Sequence, residues 1–236
     1  MNKMKNYRVL TGSALKLIAV TTMAIDHAAA FLLCEMDSFV EPFFIYHHHE
    51  LSWYVIMRGI GRMAFPIFAF LIVEGFVHTR NRRRYGWSLF ACALISEIPW
   101  ALTHQGFHLM SHNVMFTLLW GYLALCAIER WREDYWRLGL TLMGMLAIAF
   151  LFHADYNGPG FAFIVMLYAL RKHLLLQTLV GCCMLPMKWV AGLAFIPISM
   201  YNGHRGFIHG VMAKYLFYVF YPAHLFVLWL LHRWLC

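Results

Sequence analysis

The 236-residue chain is short of charge: Asp, Glu, Lys and Arg make up 13% of it, against 62% hydrophobic residues. A soluble globular domain carries about 25% charged and roughly 45–50% apolar residues, so an ordinary soluble domain is excluded and a polytopic membrane protein is indicated. No internal repeat, low-complexity tract or long linker divides the chain, so one membrane domain over residues 1–236 is expected. The six cysteines, at 34, 92, 126, 182, 183 and 236, stand mostly within apolar runs and at no disulfide or metal spacing. They read as small helix- or lipid-facing residues. Tyr46-His47-His48-His49-Glu50 is metal-like in composition, but a flexible loop without further fixed ligands makes no metal site, and none is expected. The loop from Glu35 to Glu50 also lacks Lys and Arg entirely while holding four carboxylates.

Runs of about 16–25 apolar residues, broken by short polar loops, predict an all-α polytopic bundle. Nine transmembrane helices are expected near 14–34, 53–77, 86–104, 114–129, 138–153, 160–170, 174–186, 189–201 and 215–232. Three are short, and merged, re-entrant or divided segments would make the count eight to ten. The N-terminus (Lys3, Lys5, Arg8, Lys16) and alternate loops hold 15 of the 19 Lys and Arg residues, and the opposite loops hold only Lys188 and Arg233. That asymmetry places the N-terminus in the cytoplasm and explains the +8 net charge as topology, not as a nucleic-acid footprint. Lys3, Lys5 and Arg8 before an apolar run, with Ala28-Ala29-Ala30 after it, imitate a signal peptide. Asp26-His27 beside that site and the many later spans predict an uncleaved first span instead.

Ionisable groups inside the spans are the informative feature. At ~1.5 Å per residue from each basic inner boundary, Asp26 and His27 lie roughly 15–17 Å in, Glu97 about 18 Å and His224 about 15 Å. Groups at the middle of a hydrocarbon core are costly unless they share an interior cavity, which is expected here. Adjacent helical residues point about 100° apart, so Asp26 and His27 should face different neighbouring helices, Asp26 seeking a cation or a protonated His224. The bland alternative is a polar network that only locks helices together. Arg58 and Arg62 share a helix face, and Gly59 and Gly61 between them let another backbone approach. Arg58 reads as snorkelling to the outer interface, Pro66 as a kink, and an Arg62–Asp26 bond as needing tilt or that kink. On the cytoplasmic side, Glu74 to Arg84 and Tyr201-Asn202-Gly203-His204-Arg205-Gly206 suit a phosphate-bearing ligand, although topology alone accounts for the arginines. Asp155-Tyr156-Asn157-Gly158-Pro159-Gly160 reads as an outer turn.

These residues, in order over nearly the whole chain, resemble the TraX family, named for the membrane enzyme that acetylates the N-terminus of F-type conjugative pilin. The similarity is carried by Asp26-His27, Gly61-Arg62-Met63-Ala64-Phe65-Pro66, Glu74-Gly75, His78-Thr79-Arg80-Asn81, Ser96-Glu97-Ile98-Pro99, Asn113-Val114-Met115-Phe116-Thr117, Asp155-Tyr156, Tyr201-Asn202-Gly203 and Phe220-Tyr221-Pro222-Ala223-His224-Leu225. The resemblance implies an acetyl-CoA-dependent acyltransferase of the bacterial inner membrane, with a pilin-like protein or another envelope molecule as acceptor. For that chemistry the candidate catalytic residues are His27 as base, with Asp26, Arg62, Glu97, Asn113 and His224 around it. Arg80, Asn81, Arg84, His204 and Arg205 are the candidates for holding CoA. The expected partners are the lipid bilayer and that acceptor; the sequence does not give an oligomeric state. Two other classes compete: a proton-coupled transporter, since midplane carboxylates and histidines also mark ion paths, and a non-catalytic membrane assembly factor.

Overall fold

The structure is a computed structural model that describes residues 7–46, 49–104, 112–152, 154–208 and 210–235. Lys3, Lys5, the His47-His48 pair and the C-terminal Cys236 lie outside the described residues. The chain is nearly all helical: α1 (Gly12–Ala28), α2 (Asp37–Val40), α3 (Trp53–Gly61), α4 (Ala64–His78), α5 (Arg82–Thr103), α6 (Val114–Arg130), α7 (Tyr135–Leu151), α8 (Asn157–Ala169), α9 (Leu174–Cys183), α10 (Phe195–Ser199) and α11 (Gly210–Leu235). A π-helical turn (Ala29–Leu33) continues α1, and a 3-10 stretch (Pro186–Ala194) leads into α10. The loop read as flexible holds α2 and a small antiparallel hairpin, β1 (Phe44–Tyr46) and β2 (His49–Leu51), in the register Ile45 opposite Glu50.

Local chemistry sets the helix boundaries. Thr11, Ser52, Asn81, Asn113 and Asp134 each accept a backbone N–H from the first turn of the helix that follows, which satisfies donors that otherwise have no partner. The break between α3 and α4 falls at Arg62–Met63. Pro66 has no N–H to give the Arg62 carbonyl, and its ring collides with that carbonyl in a continuous helix, so the chain restarts at Ala64. The expected kink is a two-residue turn between α3 and α4, which still run on as one segment, Trp53–His78.

Among the described residues, three helices are long and apolar enough to cross a membrane: Gly12–Leu33, Trp53–His78 and Tyr215–Leu235. The other expected spans coincide with shorter or more polar helices. At ~1.5 Å per residue, the 17 residues of α7 reach about 26 Å and the 13 of α8 about 20 Å. A bilayer core is about 30 Å thick. The 22-residue α5 is long enough but carries Arg82, Arg83, Arg84 and Glu97.

The chain forms two compact units, one of residues 1–68 and 185–236, the other of residues 69–184. In the first, α1 packs on α3 and on α11. Gly61 is required there: a Cβ at this position would stand 2.0 Å from the Asp26 Cβ. The small residue between the two arginines does what its size suggests, letting α3 approach α1 at the acid. In the second unit α6 lies against α5, α7 and α8, with Leu125, Ile164 and Leu167 fully buried.

Candidate functional site

In the first unit, Asp26 and His27 do face different helices. The Asp26 carboxylate stands 2.9 Å from the Arg58 guanidinium, with side chains 13% and 26% exposed. Arg58 also donates to the Asp26 carbonyl at 3.4 Å. That carbonyl additionally accepts from Ala29 N–H, at the point where α1 widens into its π turn. Such turns are frequent at functional sites because they redirect the residues around them. Asp26 has thus found a cation, Arg58, and one sequence expectation is corrected: Arg58 turns inward instead of snorkelling to the interface. Arg62 caps the C-terminus of α3 one residue beyond Gly61.

His27 turns to α11. Its Nδ1 lies 2.7 Å from His224 Nε2, and the two rings are parallel within 4°. His224 Nδ1 is 2.9 Å from the Phe220 carbonyl, which can only accept. His224 therefore carries its proton on Nδ1 and presents a lone pair at Nε2 when neutral. His27 must then donate from Nδ1, which puts its own lone pair on Nε2. One carbonyl four residues back on α11 thus fixes the tautomers of two imidazoles, the arrangement a general base needs. Phe31, Tyr221 and Phe220 surround the pair.

Glu97 belongs to the second unit and is paired there. His112 Nδ1 lies 2.7 Å from Glu97 Oε1, and Asn113 Nδ2 donates to Oε2 at 2.5 Å. Asn113 is fully buried and its side chain is saturated: its other amide hydrogen goes to the Ala93 carbonyl at 3.0 Å, and its Oδ1 caps α6 through Met115 N–H. It is a clamp on Glu97 and the start signal of α6 at once. His112 was not singled out in the sequence. Its signal was its place, immediately before an N-cap Asn. The expected turn at Asp155 docks here, Asp155 N–H donating to the His112 carbonyl and Thr117 Oγ1 to the Asp155 carbonyl. Tyr156 and Asn157 take the left-handed backbone conformation within that turn.

The basic segments differ in construction. Arg80, Arg83 and Arg84 are exposed, while Arg82 lies 3.7 Å from Glu129 and over the Phe76 ring. Asn81 caps α5 through Arg84 N–H at 2.9 Å. The Tyr201–Gly206 turn is a strap across the start of α1. The carbonyls of His204 and Arg205 accept from Gly12 and Ser13 N–H, and a Cβ at Gly206 would stand 2.2 Å from Thr11 Oγ1. Its glycines serve the backbone, while the side chains of His204 and Arg205 remain exposed. Among the described residues no cluster of three His, Cys, Asp or Glu side chains could hold a metal.

Charged and imidazole side chains paired inside apolar helices define the class: a helical membrane protein whose interior polar groups are candidates for function. The TraX protein family profile matches residues 11–232, and the chain belongs to that family. A probable fimbrial assembly protein, FimC of serogroup H1 from Dichelobacter nodosus, is 29% identical over 245 aligned residues, covering 91% of this chain and 92% of its own. No solved structure matches the chain.

Proposed function

We propose that the protein is an acetyl-CoA-dependent acyltransferase of the bacterial inner membrane, acting on the N-terminal amine of a pilin-like protein or another envelope acceptor. Family membership and the relative's description as a fimbrial assembly protein support the class of acceptor. The observation that carries the chemistry is the Phe220–His224–His27 hydrogen-bond chain, which leaves the His27 lone pair on Nε2.

An α-amine with pKa near 8 is partly protonated at neutral pH, and only the free base attacks. In this reading the amine nitrogen bonds to the thioester carbonyl carbon and its surplus proton passes to His27 Nε2. Collapse of the tetrahedral intermediate breaks the carbon–sulfur bond, and the departing CoA thiolate takes that proton. With both amide hydrogens of Asn113 committed, Arg62 is the donor to the developing oxyanion. Asp26 holds Arg58 and the π turn, and so the rotation of His27.

In this reading Arg80, Asn81 and Arg84 of the second unit, and His204 and Arg205 of the first, are separate candidates for binding the phosphates of CoA. Arginines in the first turn of α5 oppose the helix dipole, a position that a bound anion relieves. The expected helices lie in the bilayer, the shortest of them as tilted, merged or re-entrant segments, and the N-terminus is cytoplasmic.

The relative's printed name favours one second reading, an assembly factor without catalysis. Radiolabelled acetyl-CoA supplied to the purified protein in lipid nanodiscs, with a pilin-like peptide bearing a free N-terminus, separates the two. Label on the peptide N-terminus supports the transferase. Peptide binding without label supports the assembly factor, and label refused by every amine offered overturns the proposal.

A further inference from the structure

The second unit holds a cavity of about 250 Å³ that the proposed transfer does not use. Five aromatic rings line it, those of Phe90, Phe116, Trp120, Phe152 and Phe161. The few polar side chains in the wall turn their polar atoms elsewhere. Trp120 donates its indole N–H to the Met145 carbonyl at 2.8 Å, Thr117 donates its hydroxyl to the Asp155 carbonyl, and the Asn157 side-chain oxygen is buried. A ligand therefore meets carbon and almost nothing else. Protein interiors are close-packed as a rule, and an apolar cavity of about 150 Å³ already takes up benzene while staying free of water.

The exposed members of the wall are Ile148 and Phe152, 47% and 43% exposed and four residues apart at the end of α7. Their exposed neighbours Met143, Phe150 and Leu151 are apolar as well, so this flank faces the hydrocarbon of the bilayer. Counted at ~1.5 Å per residue from Arg137 in the first turn of α7, Ile148 and Phe152 lie roughly 16–23 Å along the helix. In a core about 30 Å thick that is at and just beyond the middle, where the ends of lipid chains meet. The volume falls below the roughly 300–1,000 Å³ of sites for drug-sized molecules, which excludes a headgroup or a whole lipid.

We infer that this cavity is a binding site for the end of one hydrocarbon chain, that of a membrane lipid entering sideways past Ile148 and Phe152 while its headgroup stays at the interface. Lipid tails are as apolar as the wall, so entry is favoured by dispersion: an empty cavity leaves its lining atoms without partners, and a chain supplies them. The site needs the membrane setting and not acyl transfer.

Tryptophan quenching by brominated lipid tests it on the full chain in phosphatidylcholine nanodiscs, since bromine quenches an indole only at close range. The emission of Trp120 is the difference between each protein and its Trp120→Phe counterpart. Bromines at the end of one acyl chain should quench that emission at least about twofold more than bromines beside the ester, because the chain end alone reaches this depth. Aqueous iodide should leave it unchanged. Ala149→Phe, which fills the cavity, should cut the quenching by chain-end bromines at least about twofold, with the other tryptophans quenched as in the parent. Ala154→Leu fills it from another part of the wall and should act in the same direction. Parental quenching in either folded variant would mean that the chain only passes along the outside, and would overturn the inference. So would no quenching of Trp120 by either lipid, or its quenching by iodide, which would make the cavity aqueous. If neither variant folds, the bromine positions and iodide on the unaltered chain decide alone.

Discussion

Gly61→Ala tests the join on which the first site depends. The added carbon would meet the Asp26 Cβ at 2.0 Å, Cγ at 2.4 Å and Oδ1 at 2.5 Å. Carbon atoms rest at about 3.5–4.0 Å, so α3 and α1 must separate by about 1.5–2 Å. A rotamer change at Asp26 cannot relieve the contact, because its Cβ is fixed by the backbone. The Asp26–Arg58 distance of 2.9 Å then lengthens past ion-pair range unless Arg58 follows. Overpacking of this kind costs about 1–3 kcal/mol, against at most about 1 kcal/mol gained from alanine's higher helix propensity. Gly139→Ala is the matched control, since a Cβ there meets nothing within 4 Å. Thermal unfolding of both variants in detergent, followed by circular dichroism, should show Gly61→Ala below the parent and Gly139→Ala at or above it. If Gly61→Ala is as stable as Gly139→Ala, the close approach of α1 and α3 is wrong.

Three further outcomes follow from the same geometry. A double-mutant cycle of Asp26→Asn and Arg58→Gln should give a coupling of about 0.5–3 kcal/mol in unfolding experiments, and a coupling near zero would dissolve the pair. Asn113→Ala removes the cap of α6, worth about 0.5–2 kcal/mol, as well as the clamp on Glu97, so it should lower stability more than Asp134→Ala, which removes the cap of α7 and a half-exposed ion pair to Arg137 worth about 0–1 kcal/mol; equal losses would contradict the clamp. Arg80→Ala and Arg205→Ala should each raise the apparent KM for acetyl-CoA while leaving membrane insertion intact, and unchanged KM values would return both arginines to setting topology.

The angular part of the site was legible in the sequence. The 100° step between Asp26 and His27 predicts two different partner helices, and the glycines of Arg58–Arg62 predict a close approach. Depth counting was less successful, because it treats helices as straight rods of constant rise. The chain breaks at Arg62–Met63 and widens at Ala29–Leu33, and a straight-rod count sees neither feature. Sequence position gave Glu97 and His224 similar depths, but depth says nothing of lateral neighbours. Glu97 is bonded to His112 and Asn113 within its own unit, while His224 is bonded to His27. His112 escaped notice because a histidine in a loop has no period to mark it. The glycine turn at 201–206 also straps the start of α1 through the His204 and Arg205 carbonyls, a use of its glycines that composition did not reveal.

The most direct test is acetyl transfer by His27→Gln. Glutamine keeps hydrogen-bonding capacity and similar size, so the contact with His224 can be retained and the bundle should stay folded. One buried hydrogen bond is worth only about 0.5–1.5 kcal/mol net, too little to unfold it. The base, however, is gone. With radiolabelled acetyl-CoA and an amine acceptor, the rate should fall by about 10²–10⁴-fold, the usual scale for general-base catalysis. Transfer by folded His27→Gln at close to the parent rate would contradict the account and leave the histidine pair as a structural tie between α1 and α11.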